Sequence, residues 1–317
     1  LLFIPFGGLN EIGMNATAYI FGNKILLADC GSGFAGEHLP GVDMVVPNLD
    51  FLKKNRQNIV GLILTHAHED HLGAVQYLWP ELRCPIYTTD FTANFLKIKL
   101  GEFSFSQEVE IHSVKPGDKF NLAPFSIEMI PLTHSAPEMQ AIMIRTPVGN
   151  IMHTGDWKFD PDPIVGNPAD EKLLKKYGDE GVLALVCDST NAMSPGQSGS
   201  EGLLRESLVK IISSCPKMVV VTTFASNLAR IDTLVHAAQM TGRKVVLSGK
   251  SLHRMVQAAQ DSGYLQDATF ISDKDIKRYP REQILIIATG CQGEPLAAVS
   301  KMANKSHPCI QLSQDDT

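Results

Sequence analysis

The sequence has few of the features that mark membrane or disulfide-rich proteins. Crossing a bilayer takes ~20 consecutive apolar residues, whereas the longest apolar stretches, such as 182–186 and 284–288, have the length of strands. Its six cysteines are scattered and form no CxxC pair, which argues against a disulfide framework and a thiolate zinc site. Residues 1–6 lack the basic start and cleavage site of a signal peptide. We therefore expect a cytoplasmic protein without a membrane partner.

Charged residues are unevenly distributed along the chain. The 317 residues have a net charge of −6, which taken whole argues mildly against a nucleic-acid partner. Residues 1–200 carry 14 lysines and arginines against 23 acidic residues, whereas residues 201–305 carry 14 against 9. An acidic part that holds cations beside a basic part that holds a polyanion would give this asymmetry. A random fluctuation of surface charge would give it equally well.

The first part of the chain reads mainly as strands. With 44% hydrophobic and 20% charged residues, the composition is that of a soluble globular protein of one large or two medium domains. Strands in mostly sequential runs, with few helices between them, indicate α+β layers. One helix is predicted over 71–79. Strands are predicted over 1–6, 17–21, 25–28, 60–64, 86–88, 127–130, 142–145, 151–153 and 183–187.

The second part has a different pattern. The segment Ser194–Ser200 is rich in Gly, Ser and Pro and is the best domain boundary, so we expect domains at 1–198 and 199–317. Beyond it helices and strands alternate, which is typical of a parallel, Rossmann-like sheet. The GxGxxG fingerprint is absent, so such a sheet need not bind NAD or FAD. Helices are predicted over 201–213, 227–240, 251–260 and 295–303, and strands over 217–222, 244–248 and 284–288.

The string His-Ala-His-Glu-Asp-His at 66–71 follows directly on an apolar strand and places four potential metal ligands in six residues. His66 and His68 are two apart in extended chain and can bind one metal ion. Asp70 and His71 come from the following turn and can face a second ion beside it. Imidazole and carboxylate together favour zinc or a similar ion over calcium or magnesium. The competing interpretation is a polar turn that happens to be rich in histidine.

Further ligands must come from elsewhere, because catalytic zinc usually has three protein ligands and two ions need a bridging group. His134 follows a predicted strand and is the expected third ligand of the first ion, although a lone histidine there could equally be a surface residue. Asp156 also follows a strand and is the expected bridging carboxylate; read alone it would be an ordinary turn residue. Asp29, at another strand end, is better placed to orient a ligand histidine than to bind metal.

Taken in this order, Asp29, the HxHxDH run, His134 and Asp156 resemble the motifs of the metallo-β-lactamase superfamily. The remainder resembles the β-CASP branch of that superfamily, which contains nucleic-acid-processing nucleases, and within it bacterial ribonuclease J. Asp188 matches the characteristic acidic motif of that branch. The strings that carry this resemblance lie at 7–15, 153–158, 188–192, 223–227 and 289–295.

The resemblance implies an αββα sandwich, of both α/β and α+β character, into which a Rossmann-like β-CASP domain is inserted. In the family the chain continues beyond the point where this sequence stops. It completes the β-CASP domain, returns to the sandwich with a further zinc-ligand histidine, and adds a C-terminal domain used in homo-oligomers. The C-terminal parts of the fold are therefore expected to be missing here.

The resemblance also implies zinc-dependent hydrolysis of RNA, by 5′-to-3′ exonuclease and endonuclease action, with a preference for a 5′ monophosphate. We expect two zinc ions ~3.5–4 Å apart, with Mn²⁺ or Mg²⁺ as alternatives, to activate water and neutralise the phosphate oxygens. Catalytic roles are expected for Asp70, His71, Asp156 and Asp188. Asp70 could also take the proton of the attacking water. The expected ligands are His66, His68 and His134 for one ion, and Asp70, His71 and Asp156 for the other.

Contacts to RNA are expected in the second part. Ser226 and Asn227 precede a predicted helix, where side chains and free backbone N–H groups can meet a phosphate, although capping of that helix explains them equally well. Basic residues that open the next helix could extend an electrostatic track, and aromatic residues could stack on bases; a solvated face and core packing are the competing interpretations. The basic residues are Lys250, His253 and Arg254, and the aromatic residues are Phe224 and Tyr264.

Three other functions stay open on the sequence. The same metal site serves ester and amide chemistry, so a thioesterase or lactonase is possible. A β-CASP nuclease could also process DNA. A fragment without its C-terminal parts could bind RNA without cleaving it.

Overall fold

The computed structural model describes residues 1–35 and 39–317. The chain forms two compact units, of which the first comprises Leu1–Phe159 and Asn167–Gln197 and the second comprises Asp160–Gly166 and Ser198–Thr317. The short segment 160–166 belongs to the second unit, and its carboxylate and carbonyl groups accept hydrogen bonds from Ser200 and Glu201, which begin the helix Glu201–Ser214. The division into domains 1–198 and 199–317 stays a prediction.

The first unit contains two main sheets and five α-helices within the described residues. Its strands are β1 Leu2–Gly7, β2 Ala16–Phe21, β3 Lys24–Ala28, β4 Gly33–Phe34, β5 Met44–Val45, β6 Ile59–Ile63, β7 Ile86–Thr88, β8 Ile111–Ser113, β9 Lys119–Leu122, β10 Phe125–Pro131, β11 Gln140–Thr146, β12 Gly149–His153 and β13 Ala184–Val186. Its helices are α1 Asp50–Lys54, α2 Glu69–Leu72, α3 Val75–Leu82, α4 Asp90–Leu100 and α5 Glu171–Glu180, with 3-10 turns at Arg56–Asn58 and Ser106–Glu108.

The two sheets differ in strand direction. The first has the order β1-β2-β3-β6-β7-β8; its first three strands are antiparallel and the others are parallel to β3. The second has the order β13-β12-β11-β10-β9 and is antiparallel except for the pair β12 and β13. Strands β4 and β5 form a separate hairpin. The carboxyl ends of β3 and β6 therefore lie side by side, where parallel strands of α/β folds place ligand-binding loops.

The core lies between the two sheets. Buried side chains of the first sheet, such as Tyr19, Leu26 and Ile63, pack in one cluster with side chains of the second, such as Ile127 and Ile142. Burying each such side chain fully contributes ~1.5–3 kcal/mol. On the outer face of the second sheet, α5 packs through apolar residues against β10, β11 and β12. The inner strands β2, β3 and β6 of the first sheet are buried on both faces, since their residues that alternate away from the core are buried as well.

The second unit is a parallel sheet with helices between its strands. Its strands are β14 Val219–Thr222, β15 Lys244–Ser248, β16 Phe270–Ile271 and β17 Ile284–Ala288, in the order β14-β17-β15-β16. All residues of β17 are buried, as expected for a central strand covered on both faces. This confirms the predicted Rossmann-like alternation. Its helices are α6 Glu201–Ser214, α7 Leu228–Met240, α8 Lys250–Asp261 and α9 Ala298–Ala303, with 3-10 helices at Asp273–Arg278 and Arg281–Gln283.

One predicted helix is wrong. The expected helix 71–79 is two helices, because α2 ends at Leu72 and α3 begins at Val75. Gly73 lies at the break, in close contact with Ser32 and Glu69, where a Cβ would lie 2.3 Å from Ser32 Oγ. Helix α9 also begins later than predicted, at Ala298. None of the described helices combines the length and apolar character that a membrane span requires.

Candidate metal centre

The histidine-rich string follows the end of β6. The strand is buried, and the chain stays buried through Thr65, His66 and Ala67 before α2 begins. His68 precedes α2 with extended backbone, φ −79° and ψ 149°, and Asp70 and His71 lie in the first turn of that helix. The change from extended to helical backbone directs the four predicted ligands to two neighbouring positions.

The first group of potential ligands comprises His66, His68, His134 and Asp156, whose donor atoms lie within 4.8 Å of one another. Nε2 of His134 is 3.2 Å from Nδ1 of His68. His134 comes from the loop after β10 and Asp156 from the loop after β12. An antiparallel bridge between Thr133 and Lys158 joins these two loops.

The second group comprises Asp70, His71 and Asp156. Nε2 of His71 is 3.1 Å from Oδ1 of Asp156 and 3.5 Å from Oδ2 of Asp70. Asp156 is common to both groups, which is the arrangement that a bridging carboxylate requires. Gly155 precedes it with φ +56°, and a Cβ there would lie 2.6 Å from Met139 Cε, so the turn that presents Asp156 favours glycine.

Asp29 lies beneath the second group, buried and outside both ligand sets. One carboxylate oxygen accepts the backbone N–H of Thr65 at 2.8 Å, and the other is 2.7 Å from Nδ1 of His71. Because an ionised carboxylate only accepts, Nδ1 of His71 must carry the hydrogen, and Nε2 faces Asp70 and Asp156. Orienting a ligand histidine through its other nitrogen is common in metal sites. The role predicted for Asp29 stays a prediction.

Two residues extend this support and were not anticipated. His153, the last residue of β12, has Nε2 3.8 Å from Oδ2 of Asp29, and its Nδ1 is 2.9 Å from the hydroxyl of Tyr19. Tyr19 is completely buried. The chain Tyr19, His153, Asp29, His71 therefore connects β2 and β12 to the second group. Only the alternation of β2 could have placed Tyr19 on the inner face; its partner is 134 residues away in sequence.

Backbone hydrogen bonds brace the segments around the second group. Asn15 N–H donates to Asp70 O at 2.9 Å, Cys30 N–H to His71 O at 2.8 Å, and Ser32 N–H to Glu69 O at 3.0 Å. The side chain of Glu69 is paired with the buried Lys99. The first turn of α2 is thus held on two sides, which pre-organises the ligands it carries.

Electrostatics differ between the two groups. In the first group, burial and then the neighbouring imidazoles lower the pKa of His66 well below its usual value, and burial lowers the pKa of His134 to about 4. In the second group burial opposes the charge on His71, but Asp29 and Asp156 outweigh it and raise the pKa of His71 well above its usual value. Burial raises the pKa of Asp70, while the His71 hydrogen bond and charge outweigh burial and lower that of Asp156.

The donor set fits a metal ion. Nε2 of His66 is fully buried and has no hydrogen-bond partner among the described residues, whereas Nδ1 lies 3.0 Å from Thr65 Oγ1. A buried polar atom without a partner is costly, and an imidazole nitrogen beside two further imidazoles and a carboxylate would be satisfied by a metal ion. The mixture of imidazole and carboxylate is typical of zinc and related transition metals. The centre is therefore a metal site, and its geometry alone does not select the metal.

A cavity of about 570 Å³ opens beside the second group and includes Asp70, His71 and Asp156 in its wall. Asp188, two residues after the end of β13, also lines it. The backbone N–H of Asp188 donates to Thr154 Oγ1 at 3.1 Å, and its carboxylate accepts from the N–H of Thr190 at 2.8 Å. The structure thus places Asp188 beside the predicted ligands but outside both groups.

The residues predicted to contact RNA lie in the second unit, and all of them except Tyr264 follow the carboxyl end of β14 or β15. Asn227 precedes α7, and its Oδ1 accepts the backbone N–H of Arg230 at 2.9 Å, which is a helix cap. Ser226 lies one residue earlier, and Phe224 is half exposed. Lys250, His253 and Arg254 lie on the first turns of α8, and Tyr264 follows that helix. Their contacts to RNA stay a prediction.

Two family models match the chain. Residues 25–174 match a beta-lactamase superfamily domain, and residues 216–317 match the model described as "Ribonuclease J, beta-CASP domain". The first match contains both metal-ligand groups, and the second contains the parallel sheet. The expected metallo-β-lactamase fold with a β-CASP domain is thereby confirmed.

Several curated relatives are named ribonuclease J. The chain is 44% identical to ribonuclease J of Sinorhizobium meliloti, with 100% of this chain and 57% of the relative covered. It is 38% identical to ribonuclease J of Thermus thermophilus, over 99% of this chain and 56% of the relative, and 33% identical to ribonuclease J2 of Bacillus subtilis, over 99% and 57%. The chain spans little more than half the length of these relatives.

A solved structure has a similar fold. A protein of unknown function from Enterococcus faecalis superposes with a TM-score of 0.64 at 18% identity, covering 90% of this chain and 76% of the other. At that identity the likeness concerns the fold alone.

Proposed function

We propose, on the premise that the chain belongs to the ribonuclease J family of the metallo-β-lactamase superfamily, that its metal centre hydrolyses RNA phosphodiesters. The observation that carries the proposal is the pair of adjoining ligand groups that share Asp156. Phosphodiester hydrolysis is well served by two metal ions that face the attacking and leaving oxygens. The names of the relatives supply the class of substrate.

The side chains have distinct roles in this proposal. His66, His68 and His134 would hold one ion, and Asp70 and His71 the other, with Asp156 between them. When bound, two such ions make a water molecule acidic enough to act as nucleophile near neutral pH, and neutralise charge on the phosphate. Asp29 keeps Nδ1 of His71 protonated, so that Nε2 is presented to the ion.

Asp70 is also suited to proton transfer. A carboxylate that lies beside the attacking water can act as a general base. Its Oδ2 faces the cavity near Nε2 of His71. Asp70 can therefore receive the proton that the attacking water loses. Asp188, in the same wall, can orient groups bound beside the centre.

The finer features follow the family resemblance. We infer zinc as the metal, and 5′-to-3′ exonuclease and endonuclease action with a preference for a 5′ monophosphate. We also infer a cytoplasmic location. Homo-oligomers would form through a C-terminal domain of the full-length protein. The proposed RNA contacts are Ser226, Asn227, Lys250 and Arg254.

The test is a comparison of substrates on the zinc-loaded protein. Single-stranded RNA with a 5′ monophosphate, the same RNA with a 5′ hydroxyl, single-stranded DNA of the same sequence, a thioester and a lactone are incubated with wild type and with His66→Ala. His112→Ala is the matched control, because His112 is a half-exposed histidine stacked on Tyr87, outside both ligand groups.

We expect wild type and His112→Ala to cleave RNA, faster with the 5′ monophosphate, and His66→Ala to be inactive. Turnover of only the thioester or lactone would contradict the ribonuclease proposal. Binding of RNA without cleavage by the fully metal-loaded protein would contradict it as well. Faster cleavage of DNA than of RNA would identify a DNA-processing nuclease instead.

A further inference from the structure

Asn15 is a polar residue of the metal centre to which sequence reasoning assigned no role. It lies directly before β2, is half buried and lines the same cavity as the second ligand group. Its Nδ2 is 3.4 Å from Oδ2 of Asp70 and 3.1 Å from Nε2 of His71. The carboxamide thus reaches two of the predicted ligand atoms without belonging to either ligand group.

The neighbours determine which end of the carboxamide faces the centre. An ionised carboxylate such as that of Asp70 only accepts hydrogen bonds, so the NH₂ end must point towards it. The oxygen points the other way, towards Gly8, where a Cβ would lie 2.4 Å from Oδ1 of Asn15. Asn15 therefore presents two N–H donors to the centre.

The segment does not depend on this side chain for its position. The backbone N–H of Asn15 donates to Asp70 O at 2.9 Å, and its carbonyl accepts from Gly31 N–H at 2.8 Å. These two bonds tie residue 15 to α2 and to the loop after β3 whatever its side chain is. A substitution at Asn15 consequently changes the chemistry of the cavity wall more than the architecture of the site.

A cation held by His71 and Asp70 changes what the carboxamide can bind. The lone pair of His71 Nε2 then belongs to the ion, and the positive end of an N–H dipole is repelled by the ion and attracted to an anion beside it. The anion that the proposed function brings there is a phosphate. Donors fixed in advance at an oxygen that gains charge commonly contribute 10²–10³-fold to the rate.

We propose that Asn15 is a catalytic residue whose Nδ2–H donates to a non-bridging phosphate oxygen of the RNA bound at the second ligand group. This inference rests on the proposed function. It adds to the metal ions a neutral, protein-supplied donor that is held at the centre by its own backbone.

The test uses the Co²⁺-loaded protein and inorganic phosphate as the probe, read from the visible absorption of the cobalt. Asn15→Ala removes both donors, and Asn15→Asp replaces them with a carboxylate of the same shape that repels phosphate. Asn121→Ala is the control, because Asn121 is an exposed asparagine of β9 in the other sheet. Cobalt content is measured on every variant.

We expect phosphate affinity to fall about 10-fold or more in Asn15→Ala and further in Asn15→Asp. Cobalt content should be unchanged in Asn15→Ala, and it should be unchanged or higher in Asn15→Asp. The kcat for RNA should fall about 10²-fold in both. Asn121→Ala should match wild type throughout.

Phosphate affinity equal to wild type in both Asn15 variants would overturn the inference, and so would a parallel loss of cobalt in both, which would indicate a purely structural role. Failure of the ribonuclease proposal looks different. A wild type that binds phosphate but does not hydrolyse RNA contradicts that proposal, while the phosphate titrations still decide whether Asn15 contacts the anion.

Discussion

The two units place polar side chains at the ends of buried strands, and they use them differently. At the end of β6 in the first unit, imidazoles and carboxylates converge, and Nε2 of His66 is buried with no hydrogen-bond partner in the described parts of the chain, 1–35 and 39–317. At the strand ends of the second unit the polar side chains are already hydrogen-bonded within the fold. Asn227 caps α7, Ser248 pairs with His307 at 3.0 Å, and Thr289 accepts the N–H of Ala298 at 3.2 Å.

The contrast separates a ligand site from polar side chains that are satisfied within the fold, in part as helix caps. A cap satisfies a backbone donor that the helix itself leaves unpaired, so the side chain stabilises the fold and needs no ligand. The first unit instead packs potential metal-ligand atoms against one another. The pKa of His66 is lowered and that of His71 is raised. Such an arrangement is stable when a cation fills it. Substitutions in the two units should therefore have different consequences.

The largest effect is expected at the shared carboxylate. Asp156→Ala removes a ligand from both groups, so we expect the bound metal to fall from about two ions per chain to less than one and RNA cleavage to fall to background. Metal content is measured by plasma mass spectrometry after exhaustive dialysis. Asp179→Ala, on the exposed side of α5, is the control. Retention of both ions by Asp156→Ala would show that the two groups do not share this residue.

A smaller effect is expected at the residue beneath the ligands. Asp29→Asn keeps the size of the side chain but removes the charge that holds Nδ1–H of His71, and loss of such a partner typically costs 10–100-fold in metal affinity. Only the second ion should be affected, which a competition titration with a chelator can resolve. Equal weakening of both ions would mean that Asp29 supports the whole centre and not His71 alone.

The pH dependence of metal binding should also separate the two groups. Because the pKa of His71 is raised, an ion must displace a proton from its imidazole, so affinity at the second group should fall as the pH falls, by up to about tenfold per pH unit. His66 and His134 have lowered pKa values, about 4 for His134, and these two stay neutral between pH 6 and 8. Chelator competition at pH 6, 7 and 8 measures both steps.

The raised pKa of His71 also affects the folding stability of the metal-free protein, which should fall as the pH rises, whereas metal affinity should rise. A raised pKa means that the folded state binds the proton more tightly, so the stability contributed by His71 is present below the unfolded pKa of ~6.5 and is lost as the pH rises through the folded value. Zinc should remove this dependence, because the ion replaces the proton. A second-group affinity independent of pH would contradict the arrangement inferred for His71.

The smallest effect is expected in the second unit. Asn227→Ala should lower the free energy of unfolding by about 1 kcal/mol through loss of the cap, without changing metal content. Asn227→Asp keeps a capping oxygen and should restore stability. If Asn227 also contacts RNA phosphate, Asn227→Asp should still bind RNA more weakly than wild type, as measured by fluorescence anisotropy. Wild-type RNA affinity in the stable Asp variant would make Asn227 a cap and nothing more.

Local features of the fold were predictable where one pattern dominated. The apolar runs of β15 and β17 were placed to the residue, because both are buried on two sides. Helix α4 was missed, since its sequence DFTANFLKIKL mixes aromatic and apolar residues without a clear helical face. The break at Gly73 was missed because it depends on Ser32, 41 residues earlier, which packs against it.

The candidate site divides in the same way. The spacing of 66–71 predicted neighbouring ligands, and the structure brings His134 and Asp156 to them. Tyr19, His153 and Asn15 could not be assigned from the sequence, because their roles depend on strand pairing that brings distant segments together. Asn15 reaches Asp70 across 55 residues, and no local pattern reports such a contact.

We infer that the carboxylate of Asp156 joins two metal positions. A crystal structure of the zinc-loaded protein, with anomalous scattering recorded on both sides of the zinc absorption edge, tests it most directly. We predict two zinc peaks in the first unit, one at His66, His68 and His134 and one at Asp70 and His71, with Asp156 between them. A single zinc peak, or zinc bound to residues outside these two groups, would contradict the account.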